Sequence, residues 1–229
     1  MVVFRSTLAQ PLGRAMVRMM GLDRARVEKI AKLIAFDALE EKVFSDAFHG
    51  PIRDRRHLKL GEFVDIVRWK SPRQEPNARR NTAGDVEAVT RQAFQTADPR
   101  LATWMLCYLR AVSVRMASAI LTIYDPNRFT VLDVRAWTAL RKLGLLDRLG
   151  LSGYDRPDGA HLDRCETYGA YLEACTALAS EIQVSLRILD RCLWTIDKKG
   201  LYEWARCGVS LDPIMGMSTG QGGELADGG

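Results

Sequence analysis

Asp133 is the residue whose type and position in this sequence best suit catalysis. An apolar, extended approach, Phe129 to Leu132, delivers its carboxyl group to the head of a predicted helix, Val134 to Leu143. The helix dipole and the free N–H groups of the first turn favour negative charge, so we expect an ionised carboxylate. Such a carboxylate can stabilise a developing positive charge or take a proton from water. The same position also suits an aspartate that only caps the helix.

A short link between two predicted helices lies upstream of Asp133. Apolar residues recur at helical spacing before and after it, and the link from Leu109 to Val114 interrupts them. The small residues Ala111 and Ser113 allow the backbone to approach a partner closely, and Ser113 is a candidate N-cap. Backbone N–H groups at the start of the second helix then face outward, an arrangement that binds phosphate. The link therefore predicts a site for the backbone of a nucleic acid.

The segment from Arg68 to Arg80 is basic and contains one tryptophan. It holds five basic residues, one acidic residue and Trp69. Pro72 and Pro76 predict a loop here rather than a continuous helix. Such a loop can present cations to phosphates and an aromatic ring to an unstacked base. The alternative is an exposed connection whose Trp69 packs into the core, and the segment alone does not decide between them.

The link with its two helices, followed by the apolar approach to Asp133 and a further helix, resembles the helix-hairpin-helix superfamily of DNA glycosylases, the enzymes of base excision. The family's hairpin commonly reads L-P-G-V-G-x-K-x-A, and its aspartate follows in a V-D or L-D segment. This chain has Leu109, Val112 and Ala117 in register, and VLDVRAW at 131–137 for the aspartate segment. The resemblance implies an all-α fold of two helical lobes with a central cleft. It also implies base flipping, followed by cleavage of the glycosidic bond with Asp133 as the catalytic residue.

The sequence departs from the family's hairpin in ways that bear on the chemistry. Arg110 replaces the proline, and Ala111 and Ser113 replace glycines, which reach φ > 0 without a steric penalty. Arg115 stands at the position of the family's lyase lysine, and a guanidinium stays protonated and forms no Schiff base. The resemblance therefore implies a monofunctional glycosylase. Lyase activity is a smaller alternative, with Lys70 as an unusual amine.

The resemblance also assigns the remaining site residues. Those expected to hold the DNA backbone are Arg110, Ala111, Val112, Ser113, Val114, Arg115, Lys70, Arg73 and Arg135. The expected base pocket or wedge comprises Trp69, Gln74, Trp104, Tyr108 and Trp137, although each aromatic ring taken alone suits the core better. A monovalent cation at the hairpin is the one bound ion that the family suggests. No metal site is expected, since the cysteines lack the CxxC spacing of zinc or iron–sulfur sites.

Composition and charge are those of a globular protein that suits a polyanionic partner. Of 229 residues, 47% are apolar and 27% charged, and the net charge is +5 with a pI near 9.0. Five unevenly spaced cysteines argue against a disulfide framework. No apolar run approaches the length of a membrane span. We therefore expect a cytoplasmic protein that enters no membrane. The resemblance implies that its partner is double-stranded DNA, which we expect it to bind as a monomer.

Helical periodicity predicts the elements that position these segments. One long helix is expected at 24–48, with a break at Gly50-Pro51, and others at 61–69, 84–97, 166–181 and 184–198. The segment 150–162 is expected to be a loop. The expected glycosylase-like domain is 1–210, with a middle lobe at about 84–146, a second lobe from 1–83 plus 150–207, and a flexible tail at 211–229.

Two functional hypotheses follow from the sequence. The first is a monofunctional glycosylase that excises a damaged or modified base and leaves an abasic site. Its substrate belongs either to genome repair or to foreign DNA, such as the modified DNA of a bacteriophage. The second is a non-catalytic helix-hairpin-helix protein that binds DNA or RNA through Arg110, Arg115 and the loop around Trp69. Base release that depends on Asp133 distinguishes the two.

Overall fold

All regular structure in the described part of the chain is helical, which confirms the all-α prediction. The computed structural model describes residues 22–156 and 158–207. Its α-helices are α1 (Arg24–Ala31), α2 (Ala38–Val43), α3 (Asp46–Arg55), α4 (Leu60–Lys70), α5 (Glu75–Ala78), α6 (Ala83–Gln95), α7 (Pro99–Leu106), α8 (Val114–Tyr124), α9 (Val134–Lys142), α10 (Cys165–Ile182), α11 (Leu186–Lys199) and α12 (Tyr202–Cys207). Short 3₁₀ turns at Pro72–Gln74, Ser152–Tyr154 and Ala160–Asp163 lie in the connections. None of the helices in these two ranges is long and apolar enough to span a bilayer.

Polar residues just before the helical runs determine where many of the helices begin. Side chains that accept a hydrogen bond from a first-turn N–H group are Asp23, Asp37, Thr82, Asp98, Asp133 and Ser185. Gly200 ends α11 in the left-handed conformation, with φ of 66°. The predicted helices at 166–181 and 184–198 are confirmed as α10 and α11, with ends shifted by at most two residues.

The long helix predicted at 24–48 is wrong, because the structure divides this stretch into α1, α2 and the start of α3. Asp37 and Ser45 each begin a new helix. The carbonyl group of Ile34, which lies between α1 and α2, accepts a hydrogen bond from Arg191 of α11. Helical periodicity persists across both breaks, so the apolar pattern does not reveal a division that depends on a distant arginine.

The break predicted at Gly50-Pro51 is also wrong, since both residues lie inside α3. Pro51 removes one helical hydrogen bond, but His49 and Ile52 are buried on the same helix and anchor it on both sides of the proline. The helix instead stops before Arg56, whose φ of 58° is left-handed. Tertiary burial therefore outweighs the local signal of the Gly-Pro pair.

Two helices organise the core. The first, α8, is buried along most of its length and packs against α3, α4, α7 and α10. The second, α11, packs against α1, α9, α10 and α12, so α10 joins the two sets. This packing brings the end of α4 beside the head of α9, where the candidate site lies. The division into two lobes stays a prediction, and the predicted tail at 211–229 lies outside the described residues.

Candidate active site

Burial and one backbone hydrogen bond fix the approach to Asp133. Residues 129–132 are buried, and the Leu132 N–H donates to Ser118 Oγ of α8 at 2.9 Å. Asp133 follows in an extended conformation and caps α9, its Oδ1 accepting from the Arg135 N–H at 2.8 Å. The carboxylate therefore lies at a helix head, as the sequence predicts.

Lys70, the last residue of α4, forms an ion pair with Asp133. Its Nζ donates to Asp133 Oδ2, and only 18% and 20% of the two side chains are exposed. Burial raises the pKa of Asp133, but Lys70 and the Arg135 N–H together outweigh burial and hold this pKa below its usual value. Asp133 is therefore an anion at neutral pH.

The link between α7 and α8 covers residues 107–113, so it begins two residues earlier than predicted and Val114 already belongs to α8. It makes a tight turn without a glycine. Ala111 has φ of 71°, in the left-handed region where a side chain meets a steric penalty. Asn81 braces the turn: its Oδ1 accepts from the Arg110 N–H at 2.9 Å, and its Nδ2 donates to the Arg110 carbonyl at 3.2 Å. Ala111, which stands where the glycosylase hairpin commonly has its first glycine, therefore still adopts the left-handed conformation, at the cost of local steric strain.

Ser113 stands at the N-cap of α8 but does not cap it. The leading N–H groups of any α-helix have no intrahelical acceptor. Because the Ser113 side chain accepts no hydrogen bond from the first turn of α8, these groups also lack a side-chain cap. Val114 is buried, and only its backbone can reach a ligand. A helix start with uncapped N–H groups attracts anions.

Ala111→Gly is expected to raise the free energy of unfolding by roughly 0.5–1 kcal/mol. Left-handed alanine costs about 1–2 kcal/mol, and the greater freedom of glycine in the unfolded chain cancels part of the gain. Urea unfolding followed by circular dichroism measures the change. Ala117→Gly, in the helical interior of α8, is the matched control and should lower the same free energy by about 1 kcal/mol or more. Similar losses in both variants would contradict strain at Ala111.

Two clefts meet at the Lys70–Asp133 ion pair. The outer cleft has a volume of about 470 Å³ and is bounded by the loop after α4, the α7–α8 link and the start of α9. Predicted site residues that line it are Lys70, Arg73, Gln74, Ala111, Val112, Ser113, Arg115 and Asp133. The structure thus brings together the three segments on which the sequence argument depends.

The inner cleft shares the same ion pair and has a volume of about 400 Å³. Trp69 and Trp194 contribute aromatic surface to its wall. The charged residues that line it besides the pair include Glu40, Arg187, Asp190 and Arg191, from α2 and α11. A flat, polar molecule fits such a lining, because aromatic faces stack on it and charged groups hydrogen-bond to its edges.

Glu40 fastens α2 to α11 at the inner cleft. Its carboxylate accepts from Arg187 and, at 3.0 Å, from Arg191. The guanidinium carbon of Arg187 lies 3.8 Å from the centre of the Phe44 ring, and Phe44 meets Trp69 edge to face at 5.2 Å between ring centres. These contacts hold Trp69 in the cleft wall, where its half-buried side chain also packs against the core.

Three aromatic residues predicted for the base pocket lie elsewhere. Trp104 and Tyr108 are 67% and 77% exposed and line a separate apolar groove of α6 and α7. Trp137 is buried, and its Nε1–H donates to Asp155 at 2.8 Å. Of the four predicted pocket aromatics, the structure places only Trp69 in a cleft with Asp133.

Besides Arg73, which lines the outer cleft, three further arginines were predicted for the site, and they differ in their surroundings. Arg110 is exposed on the α7–α8 link. Arg115 pairs with Asp163 at 3.1 Å, and Arg135 pairs with Asp197 at 3.0 Å. Both guanidinium groups are partly exposed, so these ion pairs contribute little stability and an arriving phosphate can compete for the arginines.

Sequence reasoning missed Glu40, Arg187, Asp190 and Arg191 in the inner cleft, and Asn81 at the link. Arg187, Asp190 and Arg191 recur at three- and four-residue spacing, a pattern typical of a solvated helix face. Asp190 and Arg191 are nevertheless only 5% exposed each. The sequence contains one sign of this burial: Trp194 lies on the same helix face. A large aromatic residue beside such charges indicates that the face lines a cleft instead of open solvent.

Comparison with protein-family models, curated proteins and solved structures finds no match for this chain. The two clefts, the ion pair that they share and the charge of the protein are therefore the features that bear on its function.

Proposed function

We propose that the protein is a monofunctional DNA glycosylase in which Asp133 drives cleavage of the glycosidic bond. One observation carries the proposal: Asp133, an ionised and largely buried carboxylate, lies where the outer and inner clefts meet. The outer cleft is lined by cations and by the uncapped start of α8, and the inner cleft is lined by two tryptophans. In this proposal α7, the link and α8 are the helix-hairpin-helix element, and the clefts lie between two helical lobes.

The DNA backbone binds along the outer cleft. Lys70, Arg73 and Arg115 line it, and the start of α8 adds unpaired N–H groups for a phosphate. Arg110 extends the basic surface beyond the link, and the net charge of +5 favours approach of a polyanion. A monovalent cation at the link, which the resemblance suggests, would neutralise further phosphate charge.

The target nucleotide leaves the duplex and its base enters the inner cleft. Trp69 and Trp194 offer faces on which a base stacks, a contact worth about 1–3 kcal/mol. Gln74 or Arg73, in the wall of the outer cleft, fills the space that the base leaves in the duplex. A damaged or modified base that pairs weakly costs least to extract, which favours this class of substrate.

Cleavage of the bond between C1′ and the base nitrogen leaves positive charge on the sugar. Asp133 stabilises this charge and orients or deprotonates the attacking water. Lys70 holds the carboxylate in place and keeps it ionised. Water adds to C1′, and the products are a free base and an abasic site.

Base release tests the proposal. Duplexes that carry alkylated, oxidised, deaminated or phage-type modified bases are incubated with the protein, and freed bases are identified by mass spectrometry. Release of a particular base supports the glycosylase and names its substrate, in repair or in foreign DNA. Intact DNA binding without release from any duplex would reject the glycosylase in favour of a non-catalytic helix-hairpin-helix protein.

The contact between Lys70 and Asp133 favours one further candidate, a glycosylase with lyase activity. In the proposed complex C1′ lies beside Asp133, so an amine in contact with this carboxylate can attack C1′ and form a Schiff base. Borohydride reduces the Schiff base to a stable adduct between protein and DNA. We expect no adduct with abasic DNA, because the Asp133 carboxylate already engages the Lys70 amine in an ion pair. Gel electrophoresis after borohydride reduction measures the protein–DNA adduct, and Lys70→Arg is the control variant that keeps the positive charge. An adduct formed by the wild type and lost in Lys70→Arg would establish the lyase.

A further inference from the structure

The groove between α6 and α7, which we name the aromatic groove, lies outside the two clefts of the candidate site. It has a volume of about 590 Å³, and its lining residues are all uncharged: Ala88, Val89, Gln92, Trp104, Met105, Cys107 and Tyr108. Trp104 and Tyr108 are the two most exposed large hydrophobic side chains in the described part of the chain. Aromatic rings are favourable to bury, so two of them left in water indicate a surface that receives flat, apolar groups.

Positive charge adjoins the aromatic groove at the α7–α8 link. Tyr108 lies two residues before Arg110, and Ala111, the next residue, already lines the outer cleft. The side chain of Asn81 binds both backbone groups of Arg110, so Arg80 also lies beside the link. Both arginines are exposed, and neither forms an ion pair with a residue of the described ranges. Two unpaired cations therefore lie where the aromatic groove meets the outer cleft.

This combination of rings and cations is complementary to a nucleic-acid strand with unpaired bases. Such a strand offers flat faces to aromatic side chains and phosphates to arginines, which is how proteins bind single strands. A duplex keeps its base faces stacked on one another, so it cannot use the rings. A second copy of the chain on this groove would bring Arg80 and Arg110 of both copies to one interface, where like charges oppose association.

We propose that the aromatic groove binds unpaired bases of a single DNA strand that continues past the link from the outer cleft. The phosphates of this strand pass Arg80 and Arg110, and its bases stack on Trp104 and Tyr108. The inference rests on the proposed binding of DNA in the outer cleft and requires no base excision. It narrows the preferred DNA to a duplex that continues into an unpaired strand.

Binding titrations with two different tails on the same labelled duplex test the inference. One tail is a short run of thymidines, and the other is a run of propanediol phosphates of equal charge that carries no bases. We expect the wild type to bind the thymidine-tailed duplex about tenfold or more tightly than the propanediol-tailed duplex, the usual effect of stacking on aromatic side chains. Fluorescence anisotropy measures both affinities. Equal affinities for the two duplexes would overturn the inference.

Variants assign the preference for thymidines to the two rings. The double variant Trp104→Ala/Tyr108→Ala should lose the preference and still bind a blunt duplex as the wild type does. Trp104→Phe/Tyr108→Phe keeps two rings and should keep the preference. Leu101→Ala is the matched control, because Leu101 is an exposed residue of α7 outside the groove. An equal loss in Leu101→Ala, or a wild-type dimer that the double alanine variant converts to a monomer in sedimentation, would overturn the inference.

Photocrosslinking of the wild type locates the tail without any variant. One thymine of the tail is replaced by 5-iodouracil, which couples on irradiation to an aromatic ring stacked on it. Mass spectrometry should find the crosslink at Trp104 or Tyr108, whereas a crosslink only at Trp69 or Trp194 would overturn the inference by placing the tail in the inner cleft. A tail preference without base release from any DNA would refute the glycosylase alone, whereas absence of DNA binding would refute both proposals.

Discussion

Asp133→Asn is expected to slow base release by roughly 10²–10⁴-fold, the usual contribution of a positioned acid–base group. Asparagine caps a helix about as well as aspartate, so α9 should keep its start, but a neutral amide cannot stabilise positive charge at C1′. DNA affinity should change little because Lys70, Arg73 and Arg115 remain in the outer cleft. Single-turnover base release and a DNA-binding titration measure the two effects.

Asp98 is the matched control for this substitution. It caps α7 by accepting the Arg100 N–H at 2.8 Å, the same bond that Asp133 makes to Arg135, but it lines neither cleft. Asp98→Asn should therefore leave base release unchanged. Asp133→Asn leaves the largely buried Lys70 ammonium without its partner anion. The double variant Asp133→Asn/Lys70→Met removes both charges and so separates the loss of the carboxylate from the effect of an unpaired lysine. Wild-type rates of base release in Asp133→Asn would show that the catalytic assignment is wrong.

Trp137→Ala is expected to lower the free energy of unfolding by about 3–5 kcal/mol, the usual loss for a fully buried tryptophan. The side chain is 1% exposed, and its ring centre lies 4.7 Å from that of His161 and 6.0 Å from that of Tyr171. Its removal leaves a cavity and deprives Asp155 of a hydrogen bond of 2.8 Å. Urea unfolding followed by circular dichroism measures the loss.

Trp104→Ala is the corresponding control, because this tryptophan is 67% exposed. We expect its free energy of unfolding to stay within about 0.5 kcal/mol of wild type. The free energy of unfolding of Trp137→Phe should lie between those of the two alanine variants, since phenylalanine fills most of the space but donates no hydrogen bond. Equal stability of the two alanine variants would contradict the placement of Trp137 in the core and reopen its assignment to the base pocket.

Local signals in the sequence were enough to predict most of the helices in the middle of the chain. Thr82, Asp98 and Asp133 precede apolar periodic runs, and each caps a helix in the structure. The stretch at 24–48 was predicted wrongly because its apolar spacing continues through Asp37 and Ser45. Periodicity reports which face of a helix is apolar, whereas a break stabilised by a partner far away in sequence leaves no periodic trace.

The candidate site was predictable only as far as its backbone segments. The loop after α4, the link and the head of α9 carry local features, and all three line the outer cleft. The partner of Asp133 was not predictable, because Lys70 lies 63 positions away and nothing local relates the two. The wall of the inner cleft is built from equally distant residues, and a buried Asp190 has the same helical spacing as an exposed one.

The bond between Glu40 and Arg191 spans 151 positions of the chain and has a consequence for the order of assembly during translation. At about 5–20 residues per second, the ribosome needs roughly 8–30 s to add this many residues. Every residue that lines the outer cleft has been synthesised by Val134, whereas the inner cleft waits for α11. Closing so long a loop is also slow, because its entropy must be lost before the contact forms. A nascent chain therefore completes the residues of the outer cleft first and those of the inner cleft last.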